Sequence, residues 1–100
     1  MAYFLALTIH LHFPDNGSLK GKRKELLSVR SVLARRFGAA VAEVDHHDLW
    51  QRSTLAAGLV SGSVAELERS GDNLERFLIA RFPDGVRVER HLMSFSDLDN

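Results

Sequence analysis

Apolar and polar residues alternate along the first part of the chain. Between residues 3 and 13 every odd position is apolar: Tyr3, Leu5, Leu7, Ile9, Leu11 and Phe13. A period of two is typical of a β-strand that turns one face to the core. The turn-forming sequence Pro14-Asp15-Asn16-Gly17 follows, so we predict that a first strand ends here.

A helical period replaces this alternation after the turn. Ser18 is a favoured N-cap residue, and Gly38 is of the type that commonly ends a helix. Between them the apolar positions recur with the spacing of one helix face. They are Leu19, Leu26, Val29, Leu33 and Phe37. We predict a first helix over residues 19–37 that packs on a sheet.

The rest of the chain has the pattern of a hairpin, a second helix and a last strand. Residues 41–44 and 55–61 are strand-like, and the polar segment 43–54 is expected to form a long hairpin tip. Ser63 and Glu66 have the spacing of a capping box. The helix stripe that follows consists of Leu67, Gly71, Leu74 and Leu78. The sequence Pro83-Asp84-Gly85 then breaks the chain before a strand predicted at 86–95.

The element order is therefore β-α-β-β-α-β. Right-handed crossovers fold this order into a four-stranded antiparallel sheet with both helices on one face, the α+β sandwich called ferredoxin-like. One hundred residues suffice for one domain, which we place at residues 1–95, with a polar C-terminal tail at 96–100. The second face of the sheet is expected to be uncovered.

Composition excludes several classes of protein. The chain has no cysteine, which excludes disulfides, thiolate metal sites and thiol nucleophiles. No cationic segment precedes the apolar start, and the alternation there suits a strand better than a signal peptide or a membrane helix. We expect a cytoplasmic protein with no membrane partner.

Charge is unevenly distributed, although the net charge is zero. Residues 18–37 contain one acid, Glu25, and seven basic residues, so the rest of the chain carries the opposite excess. The basic residues are Lys20, Lys22, Arg23, Lys24, Arg30, Arg35 and Arg36. A neutral protein with one strongly basic helix can bind a polyanion at that helix.

Two sequence motifs resemble those of a known family. Ser18-Leu19-Lys20, followed by Lys22-Arg23, is similar to the S-L-K-x-K-R motif of the YlxP-like family, and residues 41–55 resemble its V-A-E-V-D-H-x-D-L-W-Q-R-x-T-L signature. The resemblance implies the ferredoxin-like fold and genes that often lie among those for translation factors and ribosome maturation. It implies no particular activity. Family members commonly carry an acid where this chain has Gly21, and the glycine is expected to cost the helix about 1 kcal/mol.

The predicted topology gathers the candidate site residues at one end of the domain. There the first strand ends, the first helix begins and the hairpin turns. The cations Lys20, Lys22, Arg23 and Lys24 oppose the helix macrodipole, so an anion is expected beside them. One interpretation is a phosphate or the backbone of RNA. The other is internal, with the cations neutralised by acids of the tip or simply solvated.

The tip residues Asp45, His46, Asp48 and Trp50 form a possible second site. Together with the histidines of the first strand they offer potential metal ligands, but short histidine pairs are common without a metal, so we predict none. Trp50 is expected to anchor the tip by packing rather than to stack on a ligand. No serine has the spacing of an activated nucleophile. We therefore assign no catalytic residue and no cofactor.

Three functions follow from these patterns. The favoured one is a non-enzymatic accessory factor that contacts structured RNA or a ribosomal subunit through the basic first helix and Arg52. The second is a homodimer or protein-interaction module that uses the open sheet face, where Ala56 and Gly58 offer no aromatic platform for bases. The third and least favoured is a metal-dependent enzyme at the histidine-bearing tip.

Overall fold

The elements follow the predicted order in the computed structural model, which describes residues 1–83 and 85–98. The strands are β1 (Tyr3–His12), β2 (Ala40–Asp45), β3 (Arg52–Ser61) and β4 (Val86–Ser94). The helices are α1 (Leu19–Phe37), α2 (Val64–Arg81) and a short 3-10 helix, Phe95–Leu98. The strands form one antiparallel sheet in the order β2-β3-β1-β4. The predicted ferredoxin-like α+β fold is confirmed.

The core lies between the helices and one face of the sheet. The odd residues of β1 are at most 3% exposed from Leu5 to Leu11, as the alternation predicts. They pack with the apolar stripes of both helices, which include Leu26, Val29, Leu33, Leu67, Leu74 and Leu78. Even residues of β1 therefore lie on the opposite face, which α1 and α2 leave uncovered.

The hairpin differs from its prediction in the length of its strands. β2 and β3 reach residues 45 and 52, which leaves residues 46–51 as the tip. Glu43 pairs with Leu55 and Asp45 with Thr54, with a bulge between the two pairs. The hydrogen bonds of the ladder come from the backbone, so polar residues can also extend the strands. The pattern of apolar residues therefore does not predict this extension.

Both helices begin at the predicted N-caps. Ser18 Oγ accepts a hydrogen bond from Gly21 N at 3.0 Å, and Ser63 Oγ accepts one from Glu66 N at 3.2 Å. α1 ends at Gly38, whose φ of 68° is left-handed. The boundaries of α1 are therefore those expected from the sequence.

The C-terminal end is more ordered than a polar tail from residue 96 implies. Phe95 N donates to Ala2 O at 2.9 Å, and the ring of Phe95 packs edge-on against Phe4 with centroids 5.8 Å apart. Asp97 Oδ2 accepts from Ser94 N at 3.0 Å and closes the 3-10 turn. Residues 99 and 100 of the predicted tail, and Asp84 of the predicted turn, lie outside the described residues.

Candidate functional site

The connections at one end of the sheet are bonded to one another. His12 N donates to Gly85 O, and Phe13 N donates to Gln51 O, both at 2.8 Å. These two hydrogen bonds join the end of β1 to the start of β4 and to the hairpin tip. The start of α1 lies at the same end, so the candidate residues share one region, as the topology predicts.

Lys22 is buried beneath the hairpin tip. Its Nζ donates to the carbonyl oxygens of His46 at 2.7 Å, Leu49 at 2.6 Å and Arg52 at 3.0 Å, with His47 O at 3.3 Å. Four carbonyl dipoles thus surround one ammonium group. This corrects the expectation that Lys22 is exposed with its basic neighbours, because a buried ammonium saturated by the protein cannot contact a polyanion.

Glu43 supplies the negative charge that balances this ammonium. Its Oε2 lies 3.2 Å from Lys22 Nζ and accepts a hydrogen bond from Ser53 Oγ at 2.6 Å. Burial acts to raise the pKa of Glu43, but the hydrogen bonds from Ser53 and Lys22 outweigh it and hold the pKa below the ordinary value of a glutamate. The ionised carboxylate therefore links α1, β2 and β3. The internal neutralisation considered from the sequence occurs at this one lysine.

The tip backbone is fixed by further hydrogen bonds. His46 has a left-handed φ of 64°, which costs a non-glycine residue about 1 kcal/mol or more. Asp45 Oδ1 accepts from His46 N at 2.8 Å, and Leu49 N donates to His46 O at 3.1 Å. On the α1 side, Asn16 Nδ2 donates to Trp50 O. Asp45 and His46 thus shape the turn itself.

The large apolar side chains of the tip remain exposed. Trp50 is 50% exposed and Leu49 is 45% exposed. The buried group beneath the tip is Lys22, whose hydrogen bonds anchor the turn. Trp50 is half buried, and its role as a packing anchor of the tip stays a prediction.

The outer face of α1 is a continuous cationic surface, which we call the α1 basic face. Its exposed members recur at helix-face spacing: Lys20, Arg23, Lys24, Arg30 and Arg35, with Leu27 between them. Within residues 1–83 and 85–98 none of these five cations forms an ion pair with a carboxylate. Glu25, the acid of α1, binds Arg81 of α2 at 3.0 Å instead. The positive charge of this face is therefore uncompensated.

Arg52 does not join the α1 basic face. It pairs with His12 across β1 and β3, and even residues of β1 lie on the face away from the helices. There Arg52 lines a groove of about 450 Å³ with His10, His12 and Arg87. Glu89 Oε1 lies 2.9 Å from His10 Nε2 and 2.7 Å from Arg87 Nη1. Hydrogen bonds from these two side chains lower the pKa of Glu89.

A second cleft of about 360 Å³ lies between the β1–α1 connection and the end of α2. Phe13 and Phe82 meet edge-on with centroids 5.5 Å apart, and the ion pair of Glu25 and Arg81 lies beside them. Within the described ranges no three or more His, Asp or Glu side chains are placed to hold a metal ion together. His10 and His12 lie on the open sheet face, away from the tip histidines.

Sequence reasoning missed the roles of Lys22 and Ser53. The spacing of Lys22, Leu26, Val29 and Leu33 gives a usable signal, because it places the lysine on the buried stripe of α1. No pattern distinguishes Ser53, whose burial depends on the extra length of β3.

A family model described as "Protein of unknown function (DUF503)" matches residues 4–91 of the chain. The uncharacterized protein YlxP of Bacillus subtilis (strain 168) is 31% identical over 74 residues, which are 74% of this chain and 79% of that protein. Residues 4–91, which the family model matches, include both motifs that Lys22 and Glu43 connect. Among the described residues, no helix has the length and apolar character needed to cross a membrane.

Solved structures share the fold at low sequence identity. The de novo designed protein Foldit4 has a TM-score of 0.65 at 9% identity, over 94% of this chain and 98% of its own. A putative antibiotic biosynthesis monooxygenase from Bordetella bronchiseptica has a TM-score of 0.52 at 19% identity, over 95% and 100%. A variant of SnoaB, a cofactor-independent oxygenase from Streptomyces nogalater, has a TM-score of 0.53 at 12% identity, over 91% of each chain. At these identities the likeness concerns the fold alone.

Proposed function

Because the chain belongs to the DUF503 family of proteins of unknown function, we propose its function from its surface: a non-enzymatic accessory factor that contacts structured RNA or a ribosomal particle. The observation that carries the proposal is the α1 basic face. Its five exposed cations have no carboxylate partner in the described part of the chain. An uncompensated cationic face on a protein of zero net charge favours a local contact with a polyanion.

The chemistry of such a contact is attraction between cations and phosphates, with release of counterions. Lysine and arginine side chains that contact phosphates set the orientation of a protein on RNA without reading its sequence. Lys22 is no part of this surface because it is buried. Arg52 is also excluded, since it lies on the other side of the sheet.

Charge reversal on α1 tests the proposal. We compare Lys20→Glu/Lys24→Glu with a matched control, Arg69→Glu/Arg76→Glu, which changes two exposed arginines of α2. Affinity for a fluorescently labelled ribosomal RNA fragment is measured by anisotropy over a series of salt concentrations. We expect the α1 variant to lose most of the affinity and the slope of log K against log salt to fall by roughly 0.7 to 0.9 for each lost phosphate contact.

The control variant is expected to keep its affinity, since α2 carries acids among its arginines. Equal losses in both variants would indicate a general charge effect and contradict a specific α1 surface. An α1 variant that binds like the wild-type chain would also contradict the proposal.

A second candidate function, self-association, is favoured by the open sheet face. The register brings Ala6 opposite Gly58, and Ala42 opposite Ala56, so the middle of this face carries small side chains. Val60, on the same face, is 71% exposed. A patch of small side chains at the middle of a sheet face suits contact with the same patch of a second copy.

A further inference from the structure

The hairpin tip presents an aromatic ring on a backbone that is already fixed. Trp50 is half exposed, and within the described ranges its indole pairs with no other aromatic ring. Lys22 Nζ binds the flanking carbonyl oxygens of Leu49 and Arg52, and Asn16 Nδ2 binds that of Trp50 itself. The backbone that carries the ring is therefore held in place, while about half of the Trp50 surface stays accessible.

The same contacts bring Trp50 to the start of α1. Asn16 Nδ2, which donates to Trp50 O, also donates to the carbonyl oxygen of Ser18, the N-cap, at 2.7 Å. Arg23 shares a helix side with Arg30, seven residues on. Arg30 Nη2 reaches Val41 O in β2 at 3.4 Å, so this side of α1 is turned toward the hairpin. The first two turns of α1 span about 11 Å, so their cations lie near the part of the hairpin whose backbone Asn16 binds.

The charges around the hairpin tip favour different positions for the phosphates and the bases of a nucleic acid. Asp45, at the end of β2, and Asp48, on the tip, are exposed, whereas the cations of the α1 basic face lie on the helix and the exposed Arg52 lies on the open sheet face. Phosphate groups are repelled from the tip and attracted to the helix, but the face of a base carries no net charge. We propose that Trp50 stacks on an unpaired base of a single-stranded RNA segment whose phosphates contact the α1 basic face. This inference deepens the proposed function and rests on it.

Stacking on an aromatic side chain is a binding mode of unpaired nucleotides, because a base inside a duplex hides both faces in its own stack. The fixed tip backbone favours this mode, since little conformational entropy is lost when a preorganised loop binds. The substrate class is thus a loop or single strand of RNA and not a continuous duplex.

The chain contains one tryptophan, so emission from selectively excited tryptophan reports on Trp50 alone. The full chain is titrated with a short single-stranded oligo(A), with a duplex RNA of equal length, and with inorganic polyphosphate, a polyanion without bases. We expect oligo(A) to quench the emission and polyphosphate to bind without quenching it. The duplex is expected to bind with little quenching.

Four variants separate stacking from other effects. Trp50→Ala is expected to weaken oligo(A) binding by about 5- to 150-fold, the range measured for one stacked base, and to leave polyphosphate affinity unchanged. Trp50→Phe retains a ring and most of the affinity, whereas Trp50→Leu does not. The matched control is Leu49→Ala, which removes the neighbouring exposed apolar side chain and leaves oligo(A) affinity unchanged. If Trp50→Ala fails to fold, the oligo(A) affinities of Trp50→Phe and Trp50→Leu are compared instead, and equal affinities would contradict stacking.

The outcomes distinguish this inference from the proposed function. If oligo(A) binds by anisotropy of a labelled strand but neither quenches Trp50 nor loses affinity in Trp50→Leu, stacking is overturned and the α1 contact stands. Equal quenching by polyphosphate also overturns stacking. If no RNA binds to a folded wild-type chain, the proposed function fails and the inference fails with it.

Discussion

At the scale of single residues, the hairpin tip depends on Lys22. We predict that Lys22→Met, which keeps the length of the side chain, lowers the free energy of unfolding by about 3–5 kcal/mol. The reason is that it leaves Glu43 without its counter-charge and the carbonyl oxygens of the tip without their shared donor. Urea denaturation followed by circular dichroism measures the change.

The matched control for this prediction is Lys24→Met, since Lys24 lies on the same helix and is exposed. Its effect is expected to stay within about 0.5 kcal/mol, as for most surface substitutions. If both variants lose the same small amount of stability, the carbonyl arrangement around Lys22 contributes little and the prediction is wrong.

Lys22 and Trp50 also mark where sequence reasoning reaches its limit. The sequence grouped Lys22 with the other cations at the start of α1 and favoured packing for Trp50, whereas the structure buries the lysine and leaves the tryptophan half exposed. A lysine is buried only when hydrogen-bond partners and a counter-charge meet it, and here these come from residues 21–30 positions away. No local pattern contains that information.

At the scale of elements, local signals predicted the helices well and the hairpin poorly. The bounds of α1 follow from Ser18, the apolar stripe and Gly38, each of which acts within one or two turns. The extra residues of β2 and β3 pair through their backbones, so the side-chain pattern does not predict that the strands continue through them. The candidate end of the molecule was predictable from topology, but not the division of its cations between two faces.

The start of α1 yields a prediction about Gly21. A Cβ at this position would lie 2.5 Å from Asn16 Oδ1, so Gly21→Ala displaces the side chain that links Ser18 O to Trp50 O. We expect Gly21→Ala to change stability little in the wild-type chain, because a helix-propensity gain of about 1 kcal/mol is offset by lost hydrogen bonds. In the Asn16→Ala background the full gain of about 1 kcal/mol is expected.

A double-mutant cycle by urea denaturation checks this prediction. Its informative quantity is the difference between the two effects of Gly21→Ala, one with Asn16 present and one with it replaced. If the difference is zero, Asn16 tolerates a Cβ at residue 21. The contact with Asn16 then does not explain why this chain has glycine at that position.

At the scale of the whole molecule, the two candidate surfaces lie on opposite sides of the sheet. The sheet spans roughly 33 Å along its ten-residue strands and roughly 19 Å across its four strands. Two such faces in contact would bury roughly 1,200 Å² in total, the lower limit for a stable interface. Self-association through this face leaves the α1 basic face free, so the two functions are compatible.

We predict that self-association, where sedimentation velocity detects it, is abolished by Ala56→Glu, because a carboxylate at the middle of the face would be buried without a partner. Ala80→Glu, at an exposed alanine of α2, is the control and is expected to sediment like the wild-type chain. A wild-type chain that remains monomeric across the micromolar range would count against the open face as an interface.

The lysine beneath the tip also has a kinetic consequence. Its hydrogen bonds join residues 24–30 positions apart in sequence, so they cannot form until α1 and the β2–β3 hairpin have been brought together. Closing that long loop costs chain entropy before any of these bonds repays it. We expect the tip to become ordered only after α1 and the hairpin have docked, and a ligand that stabilises it then slows unfolding more than it speeds folding.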